Sequence, residues 1–222
     1  MKPILFSTPM VKALLENRKF QTRRVIKYDF EKVYKAACFH GKWIETFRVG
    51  PSVIPAKVVE WYCKEGVKPK YQVGEILWAR ETTYKDDFDD SFYYKADYTE
   101  REIKDLFRNQ DIKATPSIFM PKTAARIFLK VTNVRVERLQ DITEEQAIEE
   151  GCTGVKCNCQ SYACTDCMNT GWLEPPSLEF MFLWESTIKK SEVDKYGWNA
   201  NPWVFAYEFE RCEKPNETEV TE

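Results

Sequence analysis

The sequence predicts a mixed α+β domain built on an antiparallel sheet or a small barrel. Three observations lead there. Stretches that alternate or are rich in aromatic residues, at Glu75–Thr83, Ser91–Tyr98, Ala125–Leu139 and Pro202–Arg211, are interspersed with helix starts marked by capping signals. They do not recur with the spacing of βαβ units, which argues against a regular parallel sheet. Finally, 43% hydrophobic and 14% aromatic residues over 222 positions supply a sizeable core and argue against global disorder.

Taken in order, Ser7-Thr8-Pro9 opens the first helix: Thr8 can cap it, and Pro9 suits a first turn, where its missing N–H costs no hydrogen bond. Met10, Val11 and Leu14 form its apolar stripe, and Asn17, which tolerates left-handed backbone, ends it. The stretch 17–27, NRKFQTRRVIK, follows with five cations in eleven residues, Arg18, Lys19, Arg23, Arg24 and Lys27, and becomes strand-like at Val25-Ile26. Residues 29–70 are punctuated by Pro51, Pro55, Gly66 and Pro69, with candidate strands at Lys42–Val49 and Lys57–Tyr62. Tyr71–Gly74 reads as a turn into the strand Glu75–Thr83. After the acidic loop Asp86–Asp90 comes an aromatic strand from Ser91.

Thr99-Glu100-Arg101-Glu102 is a capping box, so a short helix is expected to reach Asn109. Ala125–Leu139 reads as one long strand or two in series. A second capping box, Thr143-Glu144-Glu145-Gln146, starts a helix that Gly151 terminates. Glu179–Lys190 forms a helix with Phe180, Leu183, Trp184 and Ile188 on one side, and Pro202–Arg211 is the last strand. The expected organisation is a single domain over 1–212, with insertions near 28–70 and 152–176 and a polar, disordered tail at 213–222. No internal repeat is present.

Charge limits the partners. Lys+Arg 33 against Asp+Glu 35 gives a net charge of −2, unlike a protein that grips long duplex nucleic acid through many phosphates. A nucleic-acid role therefore rests on a local patch. No apolar run approaches membrane-spanning length, so no membrane partner is expected. The segment 1–19 lacks a long apolar centre and a small-residue cleavage site, so a cytoplasmic protein is expected. In that compartment clustered cysteines point to metal rather than disulfides.

The cluster is KCNCQSYACTDC: Cys157, Cys159, Cys164 and Cys167, spaced C-x-C-x4-C-x2-C. Four thiolates over eleven residues can surround one tetrahedral ion. Zinc fits, and copper(I) is the alternative. With four sulfur ligands and no open position the ion would be structural, stapling the insertion between two helices. Reduced, metal-free thiols in a surface loop are the competing reading. Cys38, Cys63, Cys152 and Cys212 are scattered and read as small buried apolar residues.

Little other chemistry is available. The single histidine, His40, has no metal-ligand spacing, and no glycine-rich phosphate loop occurs, so nucleotide-loop, dinucleotide-fold and zincin mechanisms are unsupported. Lysine, threonine and carboxylates remain. Lys19 stands beside Arg18 and within reach of Arg23 and Arg24, and like charges lower a lysine's pKa. A neutral lysine can act as a base, and a threonine hydroxyl as a nucleophile. A solvated basic loop is the plainer reading of the same charge run.

The stretch N-R-K-F-Q-T-R-R resembles the G-x-K-x-x-T-x-R signature of ASCH domains, a branch of the PUA-like superfold. V-G-E-I-L-W-A-R-E from Val73 resembles that family's V-G-D-x-L-x-V strand. T-E-E-Q-A-I-E-E-G from Thr143 resembles the helix after its long strand. Ile118–Gly151 and the ending from Trp198 are similar to longer ASCH proteins of phages and prophages. The resemblance covers most of the chain and is thin across 28–70 and 152–176. It implies a small PUA-like β-barrel with flanking helices and a cleft between barrel and first helix. Relatives in the superfold bind RNA or modified bases, and small bacterial members hydrolyse N4-acetylcytidine. Their functional lysine, threonine and glutamate match Lys19, Thr22 and Glu150. The departures are Asn17 for the family glycine, Phe20 after the lysine, and Phe119 where phage relatives often carry histidine.

Three functions follow as expectations. The first is recognition of RNA or a modified nucleoside in a basic cleft, with Arg18, Arg23 and Arg24 meeting phosphate and Trp78, Arg80 and Glu81 on a neighbouring strand. Core packing is the competing role for Trp78. The second is an amidohydrolase with Lys19 as base, Thr22 as nucleophile or water-positioning hydroxyl and Glu150 as proton shuttle. The third is a phage accessory protein that meets a host protein through its zinc loop, near Tyr162 and Trp172.

Overall fold

A five-stranded mixed sheet organises the chain in the computed structural model, which describes residues 1–27, 69–86, 90–106, 108, 113–158, 167, 168 and 170–215. Its strands lie in the order β1 (Lys2–Leu5), β3 (Ile76–Arg80), β7 (Phe128–Arg138), β10 (Trp203–Cys212), β2 (Gln21–Val25). β1 and β3 run parallel, and the other neighbours are antiparallel. A three-stranded sheet joins β4 (Thr83–Lys85) to β5 (Phe92–Tyr94) on one side and β6 (Ala114–Thr115) on the other. β8 (Val155–Lys156) and β9 (Trp172–Glu174) form a hairpin. The described helices are α1 (Thr8–Leu15), α2 (Glu100–Leu106), α3 (Glu144–Glu149), α4 (Pro176–Thr187) and α5 (Val193–Tyr196). The mixed α+β class is thus the observed one, and none of the described helices is long and apolar enough to cross a membrane.

The sheet is sandwiched because β10 alternates. Trp203, Phe205, Tyr207 and Phe209 share one core with Ile4, Leu14, Leu77 and Leu129. Val204 enters a second core with Leu139, Phe180 and Trp184. Successive side chains of a strand point to opposite faces, so one strand serves both layers. Each large apolar side chain so buried contributes about 1.5–3 kcal/mol.

Among the described residues the sheet is open, with β1 and β2 as its edges, and no closed barrel forms. The edges meet through a side chain instead: Arg24 Nη2 donates to the Leu5 carbonyl at 2.7 Å. The segment entering β2 pairs on its outer side with the end of α3. Phe20 N–H donates to Glu149 O at 2.7 Å, and Lys19 forms a β-bridge with Glu150.

Several boundaries differ from expectation for local reasons. The N-cap of α1 is Ser7 rather than Thr8, in extended conformation and without a side-chain capping bond, with Pro9 in the first turn. Asn17 does sit at φ 53°, closing that helix. β2 begins at Gln21, inside the basic stretch, so Gln21–Arg24 is strand; its polar residues carry no hydrophobic alternation to reveal it. The stretch Glu75–Thr83 divides, β3 ending at Arg80 and Thr83 opening β4 in another sheet. β7 is one strand of 11 residues, accommodating a register shift at Glu208/Phe209. α4 starts at Pro176, ahead of Glu179, because proline is tolerated in a first turn. Both capping boxes form, at Thr99/Glu102 and Thr143/Gln146. The expected strands at 42–49 and 57–62, His40, Cys38, Cys63, the end of α2 at Asn109, and the tail beyond residue 215 lie outside the described residues.

Candidate functional site

β2 divides its polar side chains between two faces. Gln21 and Arg23 reach α3: Gln21 Nε2 donates to Gln146 O at 2.8 Å and to Glu149 Oε2 at 2.9 Å. Thr22 and Arg24 lie opposite Tyr207 and Phe205 of β10, on the face of the first core. Lys19 enters just ahead of the strand, where the turn after α1 hangs from one acceptor: the amides of Arg18 and Lys19 both donate to Ala13 O.

Gly151 sets the opposing wall. At φ +100° it turns the chain out of α3, and a Cβ there would stand 2.7 Å from Ala13 Cβ. Arg18 Nη1 donates to the Gly151 carbonyl at 2.6 Å. This close approach holds Glu150 against Lys19.

Lys19 Nζ donates to Glu150 Oε2 and to Glu150 O, each at 2.7 Å. Arg23 Nη1 donates to Glu150 Oε1 at 3.1 Å, its Nε to Glu137 Oε1 at 2.8 Å and its Nη2 to Gln146 Oε1 at 2.9 Å. The side chains of Lys19 and Arg23 are 0% exposed and that of Glu150 2%. Two buried cations therefore share the Glu150 carboxylate, and Glu137 supplies the second negative charge at Arg23. Burial lowers the Lys19 pKa; Glu150 opposes that, and Arg24 adds a smaller like-charge effect. Desolvation, rather than the neighbouring arginines, is the main cause of that lowering, and of those arginines Arg24 alone adds to it.

Arg24 differs from Arg23. It spends Nη2 on Leu5 O, and among the described residues no carboxylate lies within ion-pair distance of it. Its pKa too is lowered, chiefly by burial. The Phe6 ring centroid lies 5.7 Å from both the Lys19 ammonium and the Arg24 guanidinium, a cation–π arrangement linking the two. Arg24 lines a cavity of about 380 Å³ with Leu5, Lys27, Lys70, Tyr71 and Tyr207. Among the described residues that line it, three are cationic and none is acidic. The tyrosines are fixed: Tyr71 OH donates to Pro3 O at 2.8 Å, and Tyr207 OH accepts from Lys70 N–H at 3.2 Å.

The structure therefore brings Lys19, Glu150 and Arg23 together, with Arg18 at the same turn and Arg24 across Phe6. Thr22 is buried beside Tyr207, and among the described residues no hydrogen bond joins it to Lys19 or Glu150. Trp78, Arg80 and Glu81 form a different group. Trp78 is 5% exposed, with the Arg80 guanidinium 4.8 Å from its ring, so its face is covered. Arg80 Nη1 donates to Ile118 O at 2.9 Å. Glu81 is held by Arg126 at 2.8 and 2.9 Å, and Arg126 also grips Asp97 and lies over Tyr94. Sequence reasoning missed Phe6, Glu137, Gln146, Tyr71 and Tyr207. Gln146 was visible only as a capping residue, yet its side chain serves both the cap and Arg23.

Of the four clustered cysteines, Cys157 and Cys167 are described and Cys159 and Cys164 are not, so the four-thiolate set lies partly outside the described residues. Among the described residues no three metal-ligating side chains gather. Both visible cysteines are anchored by backbone: Cys157 N–H donates to Gly171 O at 3.0 Å, and Cys167 O accepts from Thr170 N–H at 2.9 Å. Cys152 is 2% exposed, and burial pushes its thiol up to about 12 from an ordinary 9.0. Iodoacetamide at pH 8 is therefore expected to leave Cys152 unlabelled in folded protein and to label it on unfolding, as peptide mass spectrometry would read. Between pH 9.0 and about 12 the unfolded chain releases this proton while the folded one retains it, so the thiol's contribution to stability is lost as pH rises. Urea midpoints that do not decline over that window would contradict the burial.

Compared with family models, curated proteins and solved structures, the chain matches none.

Proposed function

We propose that this is an ASCH-like, PUA-related protein of the cytoplasm that recognises RNA or a modified nucleoside in a basic cleft beside Arg24 of β2. The observation that carries this is the cavity. Its volume, about 380 Å³, falls in the range of small-molecule sites, and among the described residues its lining joins apolar and aromatic walls to three cations, of which Lys27 is paired with Glu192. An aromatic base with anionic substituents suits such walls, through ring contacts and charge-assisted hydrogen bonds. Binding of nucleosides, nucleotides and a short single-stranded oligoribonucleotide, followed calorimetrically, is the test; absence of binding by all of them sinks the reading.

A second reading is favoured by one contact, the 2.7 Å pairing of Lys19 with Glu150. In it a neutral Lys19 takes a proton from water positioned by Thr22. The resulting hydroxide attacks the acetyl carbonyl carbon of N4-acetylcytidine, Glu150 relays the proton held by Lys19 to N4 as the acyl C–N4 bond breaks, and the acetic acid released ionises, leaving cytidine and acetate. Both side chains are sealed from solvent, which ranks this reading second to recognition. Acetate release by wild type, falling roughly 100-fold or more in Thr22→Val, would establish it. That substitution keeps the side chain's shape. No release from folded wild type would remove it.

We also propose that Cys157, Cys159, Cys164 and Cys167, which lie between β8 and β9 in sequence, hold one structural zinc. The support is the donor chemistry and the backbone anchoring of the two visible cysteines. Metal analysis should find about one zinc per chain, lost in Cys157→Ser. Folded, metal-free protein from zinc-containing medium would count against it.

A further inference from the structure

We infer that the Arg24 cavity is built for a phosphate monoester, so that the preferred ligand is a nucleotide or a 5′-phosphorylated RNA end rather than a neutral nucleoside. This rests on the recognition reading above and adds the part of the ligand that is gripped. The basic stretch looks uniform in sequence, but the fold assigns its cations different duties. Arg18 is occupied by Glu16 and the Gly151 carbonyl. Lys19 and Arg23 are consumed by Glu150, with Glu137 and Gln146 completing the arginine's bonds. Lys27 pairs with Glu192 at 2.9 Å. Arg24 alone of these five combines partial burial, a cavity beside it and no carboxylate within ion-pair distance among the described residues, Glu150 acting on it only from farther off.

A desolvated charge without a counterion is costly, and an anion in the adjoining space relieves that cost. The anion's shape follows from the donor. With Nη2 turned to Leu5 O, the remaining guanidinium N–H groups form a planar fork suited to two oxygens of one phosphate. Lys70, exposed at the cavity and stacked 5.2 Å from the Tyr71 ring, supplies a second cation for a dianion. Tyr71 and Tyr207, edge to face at 5.2 Å and largely buried in the core, give the cavity beside Arg24 an aromatic lining that a base can touch at its edge while the phosphate faces Arg24. A phosphodiester within a chain carries a single negative charge and needs an exit at both ends. A terminal phosphate presents two charges and needs one.

The experiment compares ligands on the intact protein by calorimetry: the four common nucleosides and N4-acetylcytidine, their 5′-monophosphates, and one oligoribonucleotide with either a 5′-phosphate or a 5′-hydroxyl. Binding at least about tenfold tighter for the phosphorylated member of a pair is expected, with the preference shrinking as salt rises. A preference in the mononucleotide pair identifies a free nucleotide as ligand, and one in the oligonucleotide pair an RNA end. Arg24→Gln should reduce either preference to about one while the neutral nucleoside still binds. Should that variant fail to fold, the wild-type ratio decides alone, and Lys70→Gln, at an exposed position, should lower it partially. Equal affinity within every pair overturns the inference and leaves the recognition reading standing. Binding by no member of any pair overturns both.

Discussion

Glu150→Ala is expected to lower stability by about 3–5 kcal/mol, the range for breaking a buried ion pair by removing one partner. Two cations depend on this carboxylate, with Lys19 Nζ at 2.7 Å and Arg23 Nη1 at 3.1 Å, and neither has solvent to turn to. Arg23 keeps Glu137 and Gln146. Among the described residues Lys19 keeps the Glu150 main-chain carbonyl and the Phe6 ring but no carboxylate, so it carries most of the loss. Urea unfolding checks the magnitude, and a change below about 1 kcal/mol would mean that the carboxylate is solvated rather than buried. The sharper comparison is Lys19→Met with Glu150→Leu in one chain. Paired removal of a buried ion pair is often neutral or stabilising, so the double variant should recover most of the loss. If it recovers stability yet loses ligand binding or acetate release, the pair is retained for function rather than for folding.

Gly151→Ala is expected to cost about 2–5 kcal/mol, from two sources. A φ of +100° is strained for any residue with a Cβ, at roughly 1–2 kcal/mol. The new methyl would also stand 2.7 Å from Ala13 Cβ, and overpacking costs about 1–3 kcal/mol. Ala13 is buried on α1 and its carbonyl receives the amides of Arg18 and Lys19, so it cannot retreat without moving the site. The substitution should therefore weaken ligand binding as well as stability. Ala13→Gly in the same chain should restore part of the stability by removing the collision but not the strain. A variant with unchanged unfolding midpoint would show that the α1–α3 contact is loose.

The extent to which the sequence was legible follows the kind of signal each element carries. The helix at Thr143 was readable because its capping box and Gly151 are local devices, both of which form. β10 was readable because aromatic residues alternate along it. β2 was not, since Gln21–Arg24 is polar on both faces and alternates in partner rather than in hydrophobicity. Of the expected cleft residues, Lys19, Glu150 and Arg24 lie within one region, whereas Trp78, Arg80 and Glu81 belong to an arrangement around Trp78 and Arg126 that strand adjacency alone could not separate.

The chain by itself determined the α+β class, the two capping boxes, the chemistry on offer and the concentration of cations in 17–27, because these depend on residues within a few positions of one another. Only the tertiary structure decided which cation does what. Lys19 and Arg23 find a carboxylate more than a hundred residues away, and Arg24, one position on, finds a carbonyl and a cavity. A strand sends neighbouring side chains to opposite faces, and what waits on each face is set by the rest of the chain.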